Sequence, residues 1–162
     1  MLIVLAVLRI GVTWSLPAYL AFAVMSALLT TIDLHEKRLP NPLTLAAYPI
    51  LGILLLLPTL TLGQWDAYGR AWACAVTLLV IYGVLALASP AGLGMGDVKL
   101  AGSIGLILGW QSWTTPLWGT ALGFILGGLV SAALLIIGRA SRRTEIPFGP
   151  SMLAAAWILI CW

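Results

Sequence analysis

Charges in this chain fall in short clusters, and the intervals between them are apolar over lengths that a bilayer would set. No charged residue occurs from Ile10 to Ile32, Leu39 to Trp65, Ala71 to Gly96, Leu100 to Gly138 or Ile146 to Trp162. A transmembrane helix needs roughly 20 apolar residues. Four of these runs therefore read as single spans, although the last, at 17 residues, is near the minimum. The run from Leu100 to Gly138 is long enough for two spans, with a turn near "QSWTTP" (111–116). The runs are continuously apolar, not alternating, which favours helices over a membrane barrel. The expected fold is all-α: a polytopic membrane protein with about six transmembrane helices, residues 1–162 forming one membrane-embedded domain without repeats or low-complexity segments.

Composition agrees with that pattern. The chain is 62% hydrophobic and 8% charged, with a mean hydropathy of +1.09, against about 25% charged residues in a typical soluble domain. The opening "MLIVLAVLRIGV" has no positive charge ahead of its apolar run and makes a poor signal peptide. Arg9 leaves two readings open for residues 1–12: the first span begins near Ile10, or the N-terminal residues lie along the interface.

Basic residues in short loops set orientation. Placing Asp33–Asn41, Ser89–Lys99 and Gly138–Glu145 in the cytoplasm puts Lys37, Arg38, Lys99, Arg139, Arg142 and Arg143 there, with Arg9 and Arg70 opposite. The net charge of +3 is then a topology signal. No basic stripe is interleaved with aromatics, so nucleic-acid binding has no support. Trp65, Trp72, Trp110, Trp113 and Trp162 fit interfacial belts. Cys74 and Cys161 are the only cysteines, and their pairing stays open. With one histidine they cannot make a tetrahedral zinc set. "RLPNP" (38–42) reads as a helix start, with Asn41 as N-cap and Pro42 in the first helical position.

Of five acidic residues, Glu36 and Glu145 sit among basic neighbours, and Asp66 lies in the outer loop "TLGQWDAYGR"; solvation accounts for all three. His35 reads as a solvated loop residue. Asp33 ends the first span ("SALLTTID"), and Asp97 follows the glycine-rich "GLGMG" at the end of the third. Both fall at one depth on one side. The bland readings are a helix-end residue for Asp33 and an N-cap for Asp97. Glycines at 92, 94 and 96 favour more than a cap, because they permit unusual backbone conformations and close approach of an extended substrate.

"GMGDVKL" resembles the GxGD signature of intramembrane aspartyl proteases, and the chain resembles the type IV prepilin peptidase family in particular. In that family the first aspartate ends a helix and is followed by a basic residue and a Pro-Asn pair, here "DLHEKRLPN". The second belongs to GxGD and precedes Lys-Leu. A "PFGP" element precedes the last span, here Pro147–Pro150. The presenilin-like "YD" and "PAL" elements are absent. Bifunctional members carry an N-terminal region with paired cysteines linked to N-methylation. This sequence has no such cysteines, so the expectation is a peptidase domain without that region, either a peptidase-only member or the peptidase half of something longer.

The resemblance implies an aspartic endopeptidase of the bacterial cytoplasmic (inner) membrane. It would remove leader peptides from prepilins or pseudopilins at the cytoplasmic face, with type IV pilus or type II secretion machinery as further partners. Asp33 and Asp97 would be catalytic, Gly94, Gly96 and Lys99 would form the active-site loop, and no metal or cofactor is implied. Two carboxylates suit the chemistry: side by side they share one proton, so that one activates water while the other protonates the departing nitrogen. Lys99 could tune the nearby carboxylate, meet substrate or simply sit at the membrane edge; Pro40 and Asn41 would shape the loop after Asp33. Two rivals are a small proton-coupled transporter, which would place carboxylates near the midplane, and a structural membrane subunit whose aspartates only cap helices.

Overall fold

Long apolar runs can satisfy their backbone in a bilayer only by coiling into helices, and the computed structural model is predominantly helical among the described residues. It describes Leu2, Val4, Val7, Ile10, Gly11 and residues 13–36, 39–88, 93–137 and 147–162. Arg9, Lys37, Arg38, Gly92, Arg139, Arg142, Arg143 and Glu145, which bear on orientation and on the loops, lie outside the described residues. Six helices follow in order: α1 (Leu16–Glu36), α2 (Asn41–Leu62), α3 (Trp65–Ala88), α4 (Met95–Gln111), α5 (Thr115–Ile136) and α6 (Gly149–Cys161). No strand occurs among the described residues. The protein is an all-α, multi-pass membrane protein.

Among the described residues, four helices, α1, α2, α3 and α5, are long and apolar enough to cross a bilayer. α4 has 17 residues and α6 has 13, α6 being shorter than the 17-residue apolar run that predicts it. Every residue of α4 from Leu100 to Trp110 is buried. A helix apolar on all sides belongs in an interior, and α4 is the centre of this one.

Glycine lets the neighbours of α4 come close. A Cβ on Gly105 would stand 2.8 Å from the Cys74 carbonyl oxygen and 2.9 Å from Ala75 Cα, and one on Gly109 would stand 2.6 Å from Cys74 Cβ. This is the small-residue packing expected where lipid supplies no hydrophobic drive between helices. By contrast, α5 buries only Pro116 and the stripe Gly119, Gly123 and Gly127. Trp157 ties α6 to α1, stacking on Phe22 at 5.8 Å and donating to Ser26 Oγ at 3.1 Å.

Several local expectations shift. The first span is Leu16–Glu36, not Ile10–Ile32, and Asp33 lies inside its last turns. Pro40 is the N-cap of α2, with Asn41 and Pro42 in its first two positions; a proline lacking N–H fits there without losing a helical bond. Asp66 lies in the first turn of α3, exposed, where an acidic side chain complements the helix dipole. Trp110 is buried with the core rather than anchoring at an interface. Cys74 and Cys161 are both free.

Candidate active site

The C-terminal turns of α1 and the N-termini of α2, α4 and α6 converge at one end of the bundle. Asp33 points inward from α1 and is only 4% exposed. Its Oδ2 is buried without a hydrogen-bond partner among the described residues. The carboxyl faces the backbone amide of Gly149 at the start of α6, and a Cβ on Gly149 would stand 2.7 Å from Oδ2. Buried polar atoms are nearly always paired, so an orphaned carboxylate oxygen marks a place where a proton, water or substrate group belongs.

Asp97 is not the N-cap of α4. That position is Gly94, and Asp97 sits at N3, where its Oδ2 accepts the Gly94 N–H at 3.3 Å. The glycine-rich element is thus a helix start, with Gly96 and Lys99 inside α4 and not in a loop. Gly94 has φ −76°, ordinary for any residue, so no unusual backbone conformation explains it. Close approach does explain Gly96: a Cβ there would stand 2.7 Å from Leu39 Cβ, the residue preceding Pro40.

Three contacts therefore fasten the α1–α2 connection to the first turns of α4. Leu39 packs on Gly96, Lys99 Nζ donates to Asn41 Oδ1 at 2.6 Å, and the Tyr48 hydroxyl donates to the Lys99 carbonyl at 2.5 Å. The consequence is electrostatic. Asp33 and Asp97, from different helices, come close enough for their charges to act on each other. Tyr82, fully buried on α3, also lies within range of the Asp97 charge. Among the described residues, no three His, Cys, Asp or Glu side chains are grouped as metal ligands would be.

A family model described as the type IV leader peptidase family matches residues 20–138, a stretch containing both aspartates. The chain belongs to this family. Among its similar relatives is the prepilin leader peptidase/N-methyltransferase of Aeromonas hydrophila, 32% identical over 152 residues, covering 92% of this chain and 50% of that protein. The protein of the same name from Pseudomonas putida is 32% identical over 162 residues, covering 97% of this chain and 50% of the relative. A Bacillus subtilis protein, again so named, is 28% identical over 149 residues, covering 92% and 57%. The chain thus spans about half the length of these curated relatives. No solved structure matches it.

The cluster around Asp33 and Asp97 holds residues that sequence reasoning did not place in it. Gly149 belongs to "PFGP", a motif visible in the sequence but not linked there to Asp33. Leu39 and Tyr48 give no local signal, because each is an apolar-helix or loop residue whose partner lies far along the chain.

Proposed function

We propose that this chain is a membrane aspartyl endopeptidase that removes the leader of prepilins or pseudopilins at the cytoplasmic face of the inner membrane, residues 1–162 acting as one domain. Asp33 and Asp97 form the catalytic dyad, and Gly94, Gly96 and Lys99 shape its Asp97 side. The observation that carries this reading is the meeting of two carboxylates, delivered by separate helices, at one end of the bundle within range of each other's charge. A proton-transporting reading would want them near the midplane, and a capping reading does not account for an inward-facing Asp33 whose Oδ2 has no hydrogen-bond partner among the described residues.

In the singly protonated pair, the ionised carboxylate takes a proton from water as the water oxygen attacks the scissile carbonyl. The protonated partner then supplies a proton, and collapse of the tetrahedral intermediate breaks the C–N bond as the departing nitrogen is protonated. Each cycle ends with one proton on the pair, so the roles belong to the pair and not to a fixed residue.

The test is co-expression with a prepilin, scoring leader removal by gel shift. Asp33→Asn and Asp97→Asn should each lower cleavage by at least about 10²-fold, the lower end of what acid–base catalysis supplies, with the protein still inserted. Asp66→Asn and Glu36→Gln, both exposed, should process normally. Normal cleavage by either dyad variant removes that residue from the mechanism. With purified protein the rate should be bell-shaped in pH: acid protonates both carboxylates and removes the base, alkali ionises both and removes the acid.

A further inference from the structure

The N-terminus of α6 stands against Asp33 for reasons that extend well away from the dyad. Phe148, the residue before α6, lies over Gly127 of α5 so closely that a Cβ on Gly127 would meet its ring at 2.5 Å. The same ring packs against Phe124 with centroids 5.2 Å apart, and Phe124 stacks on Tyr82 of α3 at 5.7 Å. Gly127 is thus a notch that accepts Phe148, and Phe124, one turn earlier on α5, packs against the same ring. Gly149 follows directly in the chain, so wherever Phe148 is seated, Gly149 is carried with it.

At Gly149 the fit is tighter still. Its missing side chain is the space that Asp33 Oδ2 fills, at 2.7 Å from where a Cβ would be. Its N–H belongs to the first turn of α6 and has no acceptor within the helix, and it faces the Asp33 carboxyl. Asp33 is thus a nearly fully buried carboxylate with one oxygen unpartnered among the described residues, facing the first amide of α6. Both features require a residue without a side chain at 149.

We propose that Gly149 is the positioning residue of Asp33, and that Phe148, seated in the Gly127 notch, sets the place of Gly149 and so the orientation of the Asp33 carboxyl within the dyad. This rests on the dyad reading above. It assigns "PFGP" a task in the reaction: it aims one carboxylate without touching substrate. A reacting group displaced by about 1 Å can lose on the order of 10²-fold in rate, so the effect should fall on kcat and leave KM nearly unchanged.

The experiment uses the full chain in detergent, with two readouts. One is cleavage kinetics on a prepilin. The other needs no activity: the infrared C=O stretch of protonated Asp33, identified as the band in acid-minus-alkaline difference spectra that Asp33→Asn removes. Gly149→Ala should shift that band and lower kcat by on the order of 10²-fold with the protein still folded, since the added Cβ meets the end of a side chain and not backbone. Gly127→Ala should act in the same direction through Phe148, and Phe148→Leu introduced beside it should restore both band and rate by removing the obstructed ring edge. Gly128→Ala, which faces open space, should change neither.

An unshifted Asp33 band in Gly149→Ala overturns the inference, as does a Gly127→Ala defect that Phe148→Leu fails to relieve. Failure of the dyad reading looks different: Asp33→Asn would cleave normally. The infrared shift would then still report whether Gly149 positions Asp33.

Discussion

The last carbonyls of α4 are taken up by Arg70, whose Nε donates to Gly109 at 2.7 Å and whose Nη2 donates to Trp110 at 2.6 Å. Its first turn instead presents a carboxylate and an ammonium group to a half-exposed surface. At the closed end the polar groups answer each other, and glycines let backbone meet backbone. At the open end a buried oxygen of Asp33 has no partner among the described residues, Gly96 of α4 makes room for Leu39, and Gly149 of α6 makes room for that oxygen. Glycine therefore serves cohesion along α4, while at the open end Gly149 on α6 gives space to a carboxyl group. A buried polar atom left unsatisfied is what a protein tolerates where it binds or reacts.

That contrast separates stability from activity, and the dyad variants are its strongest test: they should be inactive yet as well folded as the parent. The converse at the closed end is Gly105→Val. The added atoms would meet the Cys74 carbonyl and Ala75 Cα below 3 Å, and backbone cannot swing aside as a side chain can. Overpacking typically costs about 1–3 kcal/mol, and this site should reach or exceed the upper figure. Thermal unfolding in detergent would show it as a large fall in Tm, with the surviving folded fraction cleaving at the parental rate per molecule. A variant that kept its Tm and lost activity would erase the division between the two ends.

Arg70→Met probes the same end more gently. The hydrogen bonds lost are from a charged donor to neutral carbonyls, each worth about 1.5–3 kcal/mol where water is excluded. Arg70 is only half-buried and water can replace it in part, so the whole variant should cost about 1–2 kcal/mol. Activity should be unchanged, as Arg70 lies at the opposite end of α4 from Asp97. A stability loss accompanied by a changed pH profile would mean that the closed end communicates with the dyad.

What the sequence made legible follows the same division. Charge-free runs located the helices because bilayer thickness imposes a length on them, and the break at 111–116 appears as Ser112–Thr114 between α4 and α5. The aspartates stood out because charge at a membrane edge is rare and needs a reason. Helix ends were less legible: Asn41, expected as an N-cap, and Asp97, for which a cap was the bland reading, sit one and three positions inside their helices, since capping chemistry marks a neighbourhood rather than a residue. Nothing in an apolar run distinguishes a lipid-facing helix from an interior one, so the burial of α4 and of Trp110 had to come from packing. Gly149 was hidden for a related reason. Its partner, Asp33, is over a hundred residues away, and only the fold shows which glycine gives way to which carboxylate.

The smallest expected effect lies at the open end, where Lys99 Nζ donates to Asn41 Oδ1. Two roles for Lys99 make different predictions. If its charge tuned the dyad, Lys99→Ala would move the pH profile and Asn41→Ala would not. If instead it fastens the start of α2 to α4, either variant should do the same damage and the double variant should add nothing, the signature of two residues acting through one contact. The geometry favours fastening: the ammonium group is committed to Asn41, the Tyr48 hydroxyl holds the Lys99 carbonyl on the same side, and Leu39 on Gly96 supports the same junction. An exposed hydrogen bond of this kind contributes about 0.5–1.5 kcal/mol, and two neighbouring contacts remain when it is lost. Lys99→Ala, Asn41→Ala and the pair should therefore each lower kcat/KM by only about two- to tenfold with the pH profile unmoved, and Lys99→Gln, which keeps a donor, should lose less. Additive losses in the double variant, or a profile displaced by Lys99→Ala alone, would transfer Lys99 from the frame of the site to its electrostatics.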